Sequence, residues 1–405
     1  MRPTILFIAH RFPFPPDKGE RIRSYHQVRY LAEYADIDLI GLADEPVTQQ
    51  AVQEMARYCR TISMFPSNRR WCFFKSMVGA LLGKSFSEGY FFSLRAWLTI
   101  KRLHRQNHYS AMMGCSSSTA PYLLNRNSLR ILDLVDVDSQ KWLHLARQTP
   151  FPRSLVYFFE AGRVARLEQK ILHKANHVLL TTQAEVKLLD TSLAKAAVHV
   201  IKNGVDFEKF SPPTLNEPKK NQAVFVGVMD YGPNEDAMVW FCLEVWPFIV
   251  KLHPQAHFCI VGRNPTRRVQ ALASESIEVT GAVADVRPYV QQSRFALLPF
   301  RVARGIQNKA LEAMSMGLPL IVAPALLPTL PEQGSGAVLT YHSPEELIAQ
   351  SVRLFEDHEL CATMGQQGRA LILQHCDWRS EVAKIAALLA PLTQPGAPPA
   401  DSKAL

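Results

Sequence analysis

Arg304, Gly305, Asn308, Lys309 and Glu312 lie within nine residues of one another, and together they supply two cations, a hinge, an amide and a carboxylate. The surrounding pattern says how they are held. FALLPF before them is a short apolar run of strand type, ALEAMSM is built mostly of good helix formers, and Gly317 stops the helix ahead of a second apolar run, PLIVA. The stretch is predicted to be a strand, a loop and a helix opening near Asn308–Lys309, followed by another strand. A helix N-terminus emerging from such a loop presents free N–H groups and a partial positive charge, to which Arg304 and Lys309 add full charges. That combination suits a phosphate. Glu312, one turn inside the helix, can accept hydrogen bonds from a neutral diol such as a ribose. The plainer alternative is an ordinary amphipathic connection with a surface glutamate.

The elements that would carry this site recur along the chain. In the first half, TILFIAH, IDLIGLA, SAMMGCSS, RILDLVDVD and HVLLTT read as strands, alternating with helical stretches that include Arg21–Tyr34 and Leu155–Ala175. A second series begins with QAVFVGVMDYGPNEDAMVWF, where Pro233 stands near a helix start, and continues through AHFCIVG, IEVTG, FALLPF and PLIVA. The expected organisation is a Rossmann-like first domain over 1–200, a linker over 201–221, a second Rossmann-like domain over 222–390 and a disordered Pro-rich tail over 391–405.

Composition narrows the class. At 405 residues with 47% hydrophobic content, the chain can build two cores. Seven widely spaced cysteines include no CxxC pair, and they read as buried thiols in a reducing compartment. No run of about 18 apolar residues is present, and MRPTILFIAHRFPFPP lacks signal-peptide features, so a cytoplasmic protein is expected. The net charge of +9 is uneven, +11 over residues 1–200 and −2 over 201–405. It concentrates in Arg69–Arg105, where eight basic residues face the single acid Glu88 among Trp71, Phe73, Phe74, Phe86, Tyr90, Phe91, Phe92 and Trp97. Basic residues among aromatics suit an anionic membrane surface, giving peripheral contact at the inner membrane face; the alternative is two helices with core aromatics and solvated charges. No nucleic-acid module accompanies the charge. Gly79–Ser85 falls one spacer short of a phosphate-binding P-loop, and no GxGxxG opens a strand-to-helix turn.

EAMSMGLPLI resembles the EAMAxGxPVI signature of family 4 glycosyltransferases, and NGVDFEKFSP over 203–212 resembles the NGVDxxxFxP segment that leads into their second domain. The resemblance implies a GT-B fold, two Rossmann-like parallel-sheet domains facing each other across a cleft, with the last helix, near Trp378, crossing back to the first domain. It implies transfer of a sugar from a nucleotide-diphosphate sugar to an acceptor hydroxyl, with retention at the anomeric carbon. Under it, Glu312 binds the ribose, while Gly305, Asn308, Lys309, Arg304 and Arg263 hold and neutralise the diphosphate. Lys309 and Arg304 serve as the catalytic cations, with no metal or other cofactor. A loop after the first strand, here HRFPFPPDKGERIR, places Gly19 where backbone approaches the donor phosphate. Asp136 or Asp138, after a first-domain strand, is expected to contact acceptor or donor sugar, or Asp138 or Ser139 caps a helix. Asp136-Val137-Asp138 also resembles the metal-binding DxD of GT-A transferases, which the two-domain pattern disfavours.

Two features depart from the family: Arg304 stands where a glutamate is usual, and VGVMDYGPNEDA lacks an Arg–Lys pair. The combination GxMDYxPNxDAxxWF and ARGIQNKxLEAMxMG resembles the narrower branch tied to exosortase and PEP-CTERM exopolysaccharide systems. The acceptor expected is a glycan or a polyprenyl-diphosphate-linked one, the latter suited to the basic and aromatic Arg69–Arg105 stretch. A sugar-nucleotide epimerase of the same fold and a non-catalytic donor-binding or partner-binding relative are the alternatives.

Overall fold

The computed structural model describes residues 2–213, 219–301 and 307–389, and the statements that follow concern these. The chain divides into two compact units, one formed by Met1–Lys202 with Trp378–Leu405 and the other by Asn203–Asp377.

In the first unit, seven parallel strands form one sheet in the order β3-β2-β1-β4-β5-β6-β7. They are β1 (Thr4–Ala9), β2 (Asp36–Ala43), β3 (Thr61–Pro66), β4 (Ala111–Cys115), β5 (Leu129–Val135), β6 (His177–Leu180) and β7 (Ala197–Val200). The central strands are near-continuous apolar runs because both faces are covered. Alternation sends Leu6, Ile8, Ile40, Met112 and Leu132 into one core and Ile5, Phe7, Ile37, Leu39 and Met113 into the other. Beneath the sheet's C-terminal edge, Arg23 is fully buried and pairs with Asp133 through Nε at 2.6 Å and Nη2 at 3.1 Å. Its Nη1 donates to the Ile201 carbonyl at 2.9 Å.

The second unit holds six parallel strands in the order β10-β9-β8-β11-β12-β13. They are β8 (Gln222–Val226), β9 (His257–Val261), β10 (Ile277–Gly281), β11 (Phe295–Leu298), β12 (Leu320–Val322) and β13 (Val338–Thr340). Phe225, Phe258, Phe295, Leu297 and Ile321 fill its core.

The unit boundaries differ from the sequence expectation at two places. The stretch expected to be a linker from 201 begins instead as part of the second unit: Val205 and Phe210 are buried in its core, and Ser315 Oγ donates to the Phe210 carbonyl at 2.6 Å. The second domain expected to run to 390 stops at Asp377, because the helix Trp378–Ala387 packs on the helix Gly19–Leu31 of the first unit. Trp378, 1% exposed, stacks on His26 with ring centroids 4.9 Å apart. The tail expected over 391–405 lies outside the described residues.

Six of the seven cysteines are buried, and Cys59 is half-buried; none is in a disulfide. Burial pushes the thiols of Cys59, Cys242 and Cys259 up to about 12, so they are inert at neutral pH.

Candidate active site

In the second unit, chemistry gathers at the C-terminal ends of the parallel strands, where open α/β sheets place their ligand sites. The helix Asn308–Ser315 follows β11 and carries Lys309 in its first turn. The Lys309 ammonium sits over the rings of Phe225 and Phe300, 4.6 and 5.0 Å from their centroids, and donates to Asn234 Oδ1 at 3.0 Å. Asn234 is buried and is itself fixed, its Nδ2 donating to the Val228 carbonyl at 2.8 Å. Gly227, just after β8, makes this possible. A Cβ there would lie 2.8 Å from Asn234 Nδ2 and 3.0 Å from Lys309 Nζ.

Gly262, just after β9, is required for a different reason. Its φ is +156°, and a Cβ would fall 1.6 Å from the Gly227 carbonyl oxygen. Met229 N donates to the Arg263 carbonyl at 2.9 Å, so the loops after β8 and β9 are laced together and Arg263 is carried beside the Gly227 turn. Asn308 accepts a hydrogen bond from Asn203 Nδ2 at 2.9 Å, which ties the helix start to the NGVD segment. Arg304 and Gly305 lie outside the described residues.

Lys309 and Glu312 are the charged members of a small pocket that is otherwise lined by apolar side chains such as Phe210, Leu298 and Met316. Burial pulls the Lys309 ammonium down to about 7, with Glu312 acting against the shift. Burial likewise pushes the Glu312 carboxyl up to about 7, opposed by Lys209 and then Lys309. An ammonium and a carboxylate held at these values can each change charge state on binding an anion or a diol. Arg287 is engaged elsewhere: it pairs with Asp285 at 2.7 Å and donates to the Lys209 carbonyl at 3.2 Å.

In the first unit the ends of β1, β4 and β5 collect a second group. His10 is buried, its Nδ1 3.2 Å from the Cys115 carbonyl, and burial lowers it to about 4, so it is neutral with the proton on Nδ1. Arg11 binds Asp44 through two contacts of 3.2 Å and also pairs with Glu20. Gly19 opens the helix Gly19–Leu31, and nothing lies within 4 Å of where its Cβ would be. The backbone there is open to approach, and no protein contact demands the glycine. The neighbouring cations are engaged: Lys18 pairs with Glu45 at 2.9 Å, and Arg21 with Glu45 at 2.6 Å and Asp17 at 3.2 Å.

Asp136 follows a strained turn. Val135, a β-branched residue, has φ of +69°, and Asp136 N donates to the Leu134 carbonyl at 2.9 Å across it. Thr181 donates its hydroxyl to Asp136 Oδ1 at 2.9 Å. Asp138 heads the helix Asp138–Gln148, 4.0 Å from Lys141, and burial raises its carboxyl pKa against the pull of that lysine. The helix N-terminus is capped from elsewhere: Glu185 accepts from Val137 N at 2.7 Å and Glu168 from Ser139 N at 3.1 Å. Capping by Asp138 or Ser139, one of the two sequence readings, is therefore replaced by capping from distant glutamates, which no local signal announces. Among the described residues, no group of three or more His, Cys, Asp or Glu is arranged to hold a metal ion.

Sequence reasoning passed over Gly227, Asn234, Phe225, Phe300 and Gly262. A glycine directly after a strand was the available signal for Gly227 and Gly262. Asn234 is a fixed position of the GxMDYxPNxDAxxWF pattern, which attached no site role to it, and nothing local marks the two rings.

Residues 220–357, most of the second unit, match the family model described as Glycosyl transferases group 1. Among solved structures, a sucrose-phosphate synthase from Thermosynechococcus elongatus aligns with a TM-score of 0.70 at 17% identity, covering 96% of this chain and 99% of that one. HepE of Anabaena, solved with UDP and glucose, aligns at 0.67 and 14% identity over 96% of this chain and 99% of its own. TarM aligns at 0.65 and 12% identity, with coverage of 96% and 99%. Comparison with curated proteins gives no match. Two parallel-sheet α/β domains with these relatives define the GT-B fold.

Proposed function

We propose that the protein is a glycosyltransferase of the family 4 type, moving a sugar from a nucleoside-diphosphate sugar to an acceptor hydroxyl with retention at the anomeric carbon. The observation that carries this reading is the Lys309 ammonium held at the Gly227 turn by Asn234 Oδ1 at 3.0 Å, with Glu312 one turn further along the same helix. The match of residues 220–357 to glycosyl transferases group 1 supports it.

In this reading the diphosphate lies against the Gly227 turn and the start of the helix Asn308–Ser315. Lys309 and Arg304 neutralise the charge that grows on the leaving phosphate, an interaction stronger in the transition state than before it. Gly305, Asn308 and Arg263 contribute donor contacts, and Glu312 accepts from the ribose hydroxyls. Asp136 or Asp138 contacts acceptor or donor sugar. These fixed cations do the work a metal does elsewhere, and no cofactor enters. UDP-sugars are the first donors to try, since structures of HepE contain UDP and UDP-glucose. The acceptor is a glycan or a polyprenyl-diphosphate-linked sugar in cell-surface or exopolysaccharide synthesis. The Arg69–Arg105 stretch then draws the enzyme to an anionic membrane from the cytoplasmic side.

A panel of nucleoside diphosphates and their sugars tests this by thermal stabilisation, since a ligand at 100 times its dissociation constant adds about 2.7 kcal/mol. A stabilising UDP-sugar is expected, followed by transfer to acceptor in the presence of a strong chelator. No stabilisation by any member of the panel would end the donor assignment, and activity restored only by a divalent ion would end the metal-free mechanism.

A further inference from the structure

The helix Arg69–Leu81 leaves one side uncovered: Trp71, Phe73, Phe74, Met77 and Leu82 are exposed, and Leu81 is 88% exposed. Cys72, Ser76, Gly79 and Ala80 are buried against the protein, and Lys75 is turned the same way, its Nζ donating to the carbonyls of Tyr90 at 3.2 Å and Phe92 at 2.5 Å. A second uncovered apolar surface lies about 80 residues along the chain. The helices Asp138–Gln148 and Arg153–Lys174 form a hairpin, held by Trp142 stacked on Tyr157 at 5.7 Å. Its tip exposes Phe151 at 78%, with Leu155, Val156, Phe158 and Phe159 exposed behind it.

The two surfaces adjoin. Arg163 Nη2 donates to the Ala80 carbonyl at 2.9 Å, beside Leu81 and Leu82, and Phe159 lies one turn from Arg163 on the same helix. Glu160 accepts from Phe86 N at 2.6 Å and Ser87 N at 3.0 Å, which locks the long helix to the segment after Leu82. Charge is one-sided around both. Residues 69–84 carry Arg69, Arg70 and Lys84 besides the Lys75 bound to backbone carbonyls, with no acid, and residues 147–166 carry Arg147, Arg153 and Arg166 besides the Arg163 bound to Ala80, with Glu160 alone, which is 1% exposed. Among the described residues no helix is long and apolar enough to cross a membrane.

From this juxtaposition we infer that helix Arg69–Leu81 and the hairpin tip Phe151–Phe159 form one bipartite surface that inserts its aromatic and leucine side chains into an anionic lipid bilayer. Exposed apolar side chains beside cations, with no accessible carboxylate within residues 69–84 or 147–166 and the half-buried Glu88 as the neighbouring acid, match the interfacial region of such a bilayer: hydrocarbon receives the rings and leucines while the cations meet lipid phosphates. A second copy of this surface would bring cation against cation. The inference rests on the membrane-contact part of the proposed function and adds insertion to it, and it does not depend on sugar transfer.

The experiment uses the full chain and vesicles of about 30% phosphatidylglycerol in phosphatidylcholine. Partitioning is measured by co-sedimentation at low salt and at about 0.5 M NaCl, where surface attraction is screened. The double variants Leu81→Ser/Leu82→Ser and Phe158→Ser/Phe159→Ser replace exposed side chains, so their melting curves should match the parent. Each is expected to weaken partitioning about 10-fold or more and to abolish what survives at high salt. Bromine-labelled acyl chains should quench fluorescence in the parent, with the quenching lost in Trp71→Phe. Unchanged partitioning of both variants, with binding lost in salt, would overturn insertion and leave electrostatic contact standing. No binding by the parent would overturn both. Concentration-dependent self-association without lipid, removed by the same variants, would instead assign the surface to a second copy.

Discussion

Lys309 Nζ lies 3.0 Å from Asn234 Oδ1, so the one described cation of the expected phosphate motif that reaches the Gly227 turn is oriented by a buried amide from a different helix. Asn234 is in turn anchored on the Val228 carbonyl, and the ammonium is flanked by the Phe225 and Phe300 rings. The charge is therefore pre-positioned and partly desolvated before any anion arrives, the arrangement that favours transition-state stabilisation.

Replacing Lys309 by Met should act mainly on turnover. Loss of one pre-placed electrostatic contact to developing charge lowers kcat roughly 100-fold or more. Glu312→Ala should instead weaken nucleotide binding by about 1.5–3 kcal/mol, the worth of hydrogen bonds to a charged group. Steady-state kinetics paired with calorimetric titration separate the two. A Lys309→Met enzyme changed only in KM would remove the lysine from the leaving-group role.

The dependence of kcat/KM on pH should be a bell centred near neutrality. Lys309 is pulled down to about 7, so the ammonium is lost, and with it diphosphate neutralisation, as pH rises through that value. Glu312 is pushed up to about 7, so its acceptor capacity falls as pH drops through the same region. Glu312→Gln should flatten the acid limb and leave the alkaline one. An alkaline limb that persists in Lys309→Met would assign it to another group.

Gly262→Ala should damage the site from behind it. The new methyl would meet the Gly227 carbonyl at 1.6 Å, and the backbone stands at φ +156°, so the loop after β8 must move. Destabilisation above about 1 kcal/mol is expected, together with loss of nucleotide binding. Gly19→Ala, where nothing lies within 4 Å, should leave unliganded stability unchanged; chemical denaturation of the two variants side by side checks the contrast.

Asp133→Ala should be the most damaging single change in the first unit. Arg23 is fully buried, with Asp133 as its carboxylate partner at 2.6 Å, and stranding that charge costs about 3–5 kcal/mol. Replacing both residues by Leu and Met should recover part of the loss. Urea unfolding followed by tryptophan fluorescence reads both, and a single variant as stable as the parent would show that the pair contributes little.

By itself the sequence determined the alternation of strands and helices, because apolar runs bounded by glycine and proline are local patterns with a local cause. It also located the helix Asn308–Ser315, with Lys309 and Glu312 one turn apart, because helical spacing follows from residue number alone. The partners of those residues were decided by tertiary structure. Asn234 reaches Lys309 across 75 positions, and Glu168 and Glu185 cap the helix at Asp138 from 29 and 48 positions away, distances over which no periodicity carries information. The unit boundaries have the same origin. Val205 and Phe210 were legible as a motif, but only packing made them core, and the crossing of the last helix, expected from the family resemblance, is held by contacts that no local pattern shows: Trp378 on His26, Arg379 with Glu33, and Val382 and Ile385 in the first-unit core. The uncovered hairpin tip around Phe158 was equally hidden. An apolar helical stretch reads as core until the fold leaves it without a neighbour, since burial belongs to the arrangement of elements and not to the residues that compose them.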